Sequence, residues 1–244
     1  MSGSATLDAQ VQQNTTEQLF HQGTQFLAEG DQAQALMMFD QVCQQQPEFP
    51  GAHYNRGICL FQKGDMEQAR EAFEQVISLA PEVPAGYLNA GKCALALNNM
   101  EQSIAWFSKA LELAPAEGNA HLGRGLARFE SGDLQQAIED FAVIPQDHSS
   151  FWMAQHYLGV CYLELEKPAE AVEAFNQSDR VSPNRMETME MLFLALHRNQ
   201  QFAEAMELYE TLVVQDPAIR SRYSEEVRLA RKAVRIPLHS LSDS

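Results

Sequence analysis

Glycines recur every 34 residues along this chain, at Gly23, Gly57, Gly91, Gly125 and Gly159, and a bulky aromatic keeps the same step at Phe39, Phe73, Phe107, Phe141, Phe175 and Tyr209. A third series runs through Ala35, Ala69, Ala137, Ala171 and Ala205, with Ser103 in the remaining place, and Pro47, Pro81, Pro115, Pro183 and Pro217 close five of six copies. The phase never slips. A period of this length means one supersecondary unit that buries its apolar face against its neighbours, so the chain needs no single large core. The stretch from Gly51 to Val83 shows the plan, with apolar residues at helical spacing on both sides of Gly64 and Asp65. That spacing predicts two short helices joined by a tight turn. Gly ends one helix in a conformation that a Cβ strains, and Asp can cap the next. The glycine near the middle of each first helix lets two helices approach closely, while the Ala and Phe that follow form a small-against-large packing pair.

In period, and in the order Gly, Tyr, Ala, Phe, Pro, the chain resembles the tetratricopeptide repeat family. The resemblance covers residues 16 to 219 and implies an all-α fold, a right-handed α-solenoid superhelix of helix-turn-helix repeats with a C-terminal capping helix. The repeats are expected at 16–49, 50–83, 84–117, 118–151, 152–185 and 186–219. Residues 1–15 are polar and without periodicity, which predicts a flexible lead. Residues 220–235 form the expected basic capping helix, with Tyr223, Val227, Ala230 and Val234 on one stripe, and 236–244 the expected loose tail.

Four departures from the plan carry information. Asn98 and Asn99 replace the Gly–Asp turn of the third copy, and Asn tolerates a left-handed backbone. In the fourth copy the second helix meets Pro145, which removes a donor and clashes with the preceding turn, so it stops early. The linker that follows is either a hinge or a variant helix end. Pro168 suits the first position of a helix in the fifth copy. In the sixth, Phe193 stands where Gly is expected and Gln200–Gln201 replace the turn, so a neighbour must absorb the extra bulk.

Composition narrows the function. No apolar run approaches the ~18 residues that span a bilayer, and the first residues lack a basic start and an apolar segment, so no secretory signal is read and a cytoplasmic protein is expected. The four cysteines form no Cys-x-x-Cys pair, and Cys59, Cys93 and Cys161 share one small apolar place in three first helices, which reads as packing. No metal site and no cofactor are expected. The formal charge is −16. Residues 1–217 hold 11 basic and 30 acidic side chains and residues 218–244 hold 6 and 3. An acidic body argues against nucleic acid and anionic membrane. No phosphate loop, metalloprotease helix or nucleophile elbow is present. His53 and His121 fall where the family carries a large aromatic and read as packing residues, so the chain reads as non-enzymatic.

The resemblance also implies where a partner binds, because stacked pairs line a concave wall with their first helices. The ligand-facing places lie three residues before the repeat glycine, one after it and four after it. They are Phe20, Thr24 and Leu27, then Tyr54, Ile58 and Phe61, then Leu88, Lys92 and Leu95. Leu122, Leu126 and Phe129 follow, then His156, Val160 and Leu163, and last Glu190, Leu194 and His197. The middle of this wall is apolar, and part of it packs between helices. Chaperone-binding members hold a C-terminal carboxylate with cations and Asn at places matched here by Phe20, Thr24, Asn55, Ala85 and Asn89. The cations are missing, which argues against that ligand. Asn55 and Asn89 remain as candidate bonds to a peptide backbone. The leading expectation is a scaffold that binds an amphipathic helix or apolar peptide through Tyr54, Asn55, Ile58, Phe61, Leu88, Asn89, Leu122, Leu126, Phe129 and Val160. Self-assembly through the basic end and the acidic body, giving a homo-oligomer, is the alternative. An export-type chaperone is a variant of the first.

Overall fold

The structure, a computed structural model, describes the backbone of residues 2–234 and the side chains of residues 15–234. Arg235 and the tail 236–244 expected from the sequence lie outside the described residues. Among these residues there are helices and no strands. They pair in tandem: α1 (Ser2–Glu29) with α2 (Gln32–Gln45), α3 (Pro50–Lys63) with α4 (Met66–Leu79), and α5 (Pro84–Ala96) with α6 (Met100–Leu113). The later pairs are α7 (Gly118–Glu130) with α8 (Leu134–Ala142), α9 (Phe151–Glu164) with α10 (Pro168–Val181), and α11 (Met186–Arg198) with α12 (Phe202–Gln215). Two short helices, α13 (Ile219–Arg222) and α14 (Ser224–Val234), follow.

Every hairpin turn closes in the same way. The residue that opens the second helix donates its N–H to the carbonyl five residues earlier, from Asp31 to Phe26 at 2.8 Å, Asp65 to Leu60 at 2.9 Å and Asn99 to Ala94 at 2.9 Å. Asp133 to Arg128, Lys167 to Tyr162 and Gln201 to Leu196 repeat it at 2.8, 2.8 and 2.9 Å. This is the bond of a helix ended by a left-handed residue. Gly30, Gly64 and Gly132 supply that residue in three turns, and Asn98, Glu166 and Gln200 adopt the same positive φ in the others. The helix start is then capped where the side chain allows: Asp31 accepts from the Gln34 N–H and Asn99 from the Gln102 N–H. Pro50, Pro84 and Pro168 begin α3, α5 and α10, where the missing donor has no intrahelical partner to lose.

The core is a ladder of like positions. Phe39, Phe73, Phe107, Phe141 and Phe175 are fully buried, each contributing ~1.5–3 kcal/mol of apolar burial. The glycines are there to admit them. A Cβ on Gly57 would stand 2.7 Å from Phe73, one on Gly159 2.7 Å from Phe175, and one on Gly23 2.8 Å from Phe39. Ser103, in the alanine series, is buried and donates its hydroxyl to the Gly91 carbonyl at 3.1 Å, so the extra oxygen is satisfied. In the last copy Phe193 is fully buried, with its ring centroid 6.0 Å from Tyr209 and 5.1 Å from Tyr223. The neighbour that absorbs its bulk is therefore the C-terminal segment.

At the ends the helices differ from the expected segments. Residues 2–14, read as a lead, continue α1 backward; between Ala5 and Glu29 no Gly except Gly23 and no Pro interrupts it. α8 ends at Ala142, three residues before Pro145, as a helix that meets a proline must. The segment after Pro217 bends at Tyr223 into α13 and α14. Val227 stands 34 residues after Phe193, so α14 continues the register as a seventh first helix, with Val227 and Ala230 buried. The chain divides into two compact units, one through Ala127 and one from Arg128 onward.

Candidate partner-binding wall

In the first unit the wall is carried by one face of α3 and α5 and the start of α7. Tyr54, Ile58 and Phe61 stand at spacings of four and three on α3, which places them on one side of the helix. They are half-buried, packed on the cluster of Leu60, Ala69, Ala72, Phe73, Ala90 and Cys93. Leu88 is half-buried in the same way against Tyr87, Phe107, Ala110, Leu111 and Ala120. Leu122 and Leu126 are also half-buried. Each of these side chains thus spends part of its surface on the core and keeps part open.

A hollow of about 440 Å³ lies at the leading ends of α3 and α5. Its lining is almost wholly apolar: Phe20 of α1, Pro50, Gly51 and Tyr54 of α3, Val76 of α4, Val83 just before α5, and Ala85, with the half-buried amide of Asn55 among them. Sequence pattern placed Phe20, Tyr54, Asn55 and Ala85 near a ligand but missed Val76, Ala80 and Val83. The signal was the 37% exposure of Val83, an apolar residue in a connection, which only the structure reveals.

Asn89, expected to reach a peptide backbone, is 8% exposed and bonded within the chain. Its Nδ2 donates to the Ala85 carbonyl at 2.9 Å and to Tyr54 Oη at 3.4 Å, and its Oδ1 accepts from Lys92 Nζ at 3.4 Å. Burial pushes Lys92 below the usual lysine range, opposed by the charge of Glu117.

The second unit treats the same places differently. His156 Nδ1 lies 3.0 Å from the hydroxyl of the buried Thr188, and burial holds this histidine below its usual range. Glu190 accepts from Arg222 at 2.5 Å and from the Tyr223 hydroxyl at 2.7 Å. Burial, then the bond to Glu190, push Tyr223 up to about 12. Phe129 meets Tyr157 edge to face at 5.6 Å. Val160, with Leu163, Met191 and Leu194, borders a smaller hollow of about 370 Å³ that also admits Glu164, Glu166 and Arg198. Of the basic end, Arg222 holds Glu190 and Arg228 holds Glu225.

The other candidates for chemistry are accounted for by packing. His53 and His121 bond through Nε2 to the carbonyls of Pro47 and Pro115, at 2.8 and 3.0 Å, tying each first helix to the loop before it. Burial pushes the thiols of Cys59, Cys93 and Cys161 up to about 11, 12 and 12, which keeps them protonated and unreactive. Among the described residues no group of three or more His, Cys, Asp and Glu side chains is placed to hold a metal ion, and no helix is long and apolar enough to cross a membrane.

Known proteins account for this plan. Family models described as tetratricopeptide repeat match residues 19–48, 50–83, 84–117, 110–150 and 122–185. A comparison with curated proteins gives no match. Among solved structures, PilW, a widely conserved type IV pilus biogenesis factor, is similar at 18% identity and a TM-score of 0.70, over 89% of this chain and 98% of that one. YrrB, a TPR protein with an unusual peptide-binding site, is similar at 19% identity and 0.63, over 70% and 89%. MamA from Desulfovibrio magneticus RS-1 gives 20% identity and 0.63, over 68% and 94%. At such identities the likeness is one of fold. With family models spanning most of its length and the same helical hairpin in every copy, the chain belongs to the tetratricopeptide repeat family.

Proposed function

We propose that this protein is a non-enzymatic scaffold whose first three repeats hold an apolar segment of a partner protein, as a helix or an extended peptide. The observation that carries this reading is the hollow of about 440 Å³ bordered by Phe20, Tyr54 and Val83. Its volume lies in the range of ligand pockets, ~300–1,000 Å³, and suits one or two large apolar side chains. The half-buried Ile58, Phe61 and Leu88 extend apolar surface along α3 and α5, and Leu122 and Leu126 carry it onto α7 of the fourth repeat. Helix-in-groove recognition uses such a row of anchors. The fold it shares with YrrB, a protein with a peptide-binding site, supports the reading.

Self-assembly through the basic end rests on the exposed Arg220, Arg231 and Lys232, since Arg222 and Arg228 are taken up by carboxylates of their own chain. An export-chaperone role is a form of the same scaffold reading. A cytoplasmic setting belongs to it too, supported by four free thiols; cell fractionation finding the chain elsewhere sinks that part.

The groove is tested by capture from native lysate with wild type, Val83→Asp and Leu126→Glu. Val83 precedes α5 in the capping place, where Asp is favoured, so the first variant charges the hollow without weakening the helix. Loss of the same captured protein with both variants, at unchanged helicity, is expected. Capture indifferent to both means that the wall is only core.

A further inference from the structure

Lys92 stands one residue after Gly91 on α5, on the same helix face as Leu88 and Leu95, so an ammonium interrupts an apolar ridge. We infer that the segment received by the first three repeats carries an Asp or Glu side chain between apolar residues, and that Lys92 and the Tyr54 hydroxyl hold that carboxylate. This rests on the groove reading above and gives it a ligand chemistry.

Four other cations of the first unit meet carboxylates of their own chain, while Arg124 donates to the Ser108 hydroxyl at 3.2 Å. Arg56 holds Asp40, Lys63 holds Asp65, Arg70 holds Glu67 and Glu74, and Lys109 holds Glu112, all at 2.6–2.9 Å. Lys92 instead donates to a neutral amide oxygen at 3.4 Å, and the charge of Glu117 offsets only part of the cost of its burial. A half-buried charge is costly unless paired. A partner's carboxylate supplies the missing pair.

The geometry around it offers donors. Asn89 gives both amide hydrogens away, to Ala85 and Tyr54, and gives its oxygen to Lys92. Tyr54 accepts the Asn89 bond at its oxygen, which leaves its own hydroxyl proton to donate. Lys92 keeps further N–H groups as well. Two donors linked through one saturated amide favour an acceptor and repel a partner's Lys or Arg. Tyr54 also borders the hollow, so the polar spot adjoins the apolar one. On the far side Leu88 packs on a cluster that includes Ala120 of α7, and the wall continues with Leu122 and Leu126. Apolar surface on both sides of Lys92 places the acid within the segment rather than at a chain end.

The test uses the full chain against displayed random peptides of about twelve residues, joined to carrier sequence at both ends. Wild type should enrich Asp or Glu flanked by Leu or Phe. Lys92→Glu should lose that preference and enrich Lys or Arg, while Lys109→Glu keeps the wild-type preference. A synthetic peptide from the wild-type pool should bind Lys92→Met about tenfold more weakly, and Tyr54→Phe a few-fold more weakly, at unchanged helicity. Apolar peptides without acidic enrichment, or enrichment that Lys92→Glu leaves intact, overturn this inference and spare the groove. No enrichment over the starting library overturns both. Binding only by a second library whose peptides end in a free C-terminus overturns the internal carboxylate.

Discussion

The first helices of repeats two and three and those of repeats five and six share one register but present different chemistry at the same places. In α3 and α5 the place three before the repeat glycine holds Tyr54 and Leu88, half-buried on the core and otherwise open. In α9 and α11 it holds His156 and Glu190, and each is bonded to a residue of the next first helix or of the segment that follows: His156 to Thr188, Glu190 to Arg222 and Tyr223. An apolar side chain can pack on one flank and still offer the other. A buried polar one must find its partner within the chain, and once it has, it is no longer available. The second unit therefore uses these places to hold itself together, whereas in the first they keep part of an apolar surface open.

The difference can be attacked where it is largest. Phe193, in the glycine place, fills its site by leaning on Tyr209 and Tyr223, so Phe193→Ala should cost ~3–5 kcal/mol and lower the urea midpoint of the second unit; an unmoved midpoint means the C-terminal segment is not part of that core. Arg128→Met should cost a similar ~3–5 kcal/mol, because Asp140 is 2% exposed and meets Arg128 at 2.6 Å. The same two places in repeat two are Leu60 and Ala72, both buried. The double variant Arg128→Leu with Asp140→Ala should thus recover most of the loss in thermal unfolding, and failure to recover shows that the pair does more than fill space.

In the first unit Gly57→Ala replaces glycine with the best helix former, worth ~1 kcal/mol in an open helix, yet should destabilise by ~1–3 kcal/mol as its Cβ meets Phe73. A gain in chemical stability contradicts the close-approach account. Tyr223→Phe should cost ~1–2 kcal/mol by removing the bond to Glu190. It also alters the alkaline limb. Tyr223 stays protonated in the folded chain up to about 12, against an ordinary value of 10.0, so unfolding releases its proton between those values. Its contribution is complete below pH 10 and lost as pH rises toward 12, and the Phe variant should lack that part of the decline in a pH series of unfolding.

The smallest effect lies in the turns. Gln200 adopts φ 62° where Gly30 and Gly64 do so without a side chain. Gln200→Gly should raise the stability of the last repeat by about 1 kcal/mol, read as slower hydrogen exchange in α11 and α12, and unchanged or faster exchange in the variant contradicts strain at this turn.

The period, the two helices per copy, the site of each turn and the close approach of helices at the repeat glycine were all legible in the residues, whereas the aromatic that meets each glycine was shown by the structure. Each of these depends on contacts within one copy or between equivalent places of adjacent copies, and such contacts impose the same residue type at the same phase. Even the breaks read correctly where one residue decides them, as Pro145 ends α8 and Asn98 replaces glycine in its turn. What the tertiary structure alone decided is which wall places stay open. Asn89 looked available and is saturated by Ala85, Tyr54 and Lys92; Glu190 looked like a ligand group and is held by residues 32 and 33 positions later. The hollow depends on Val76 and Val83, which belong to no ligand-facing series. A side chain's availability is set by what the following helix brings against it, and a bond formed once, between two unlike residues in different copies, leaves no period in the sequence to reveal it.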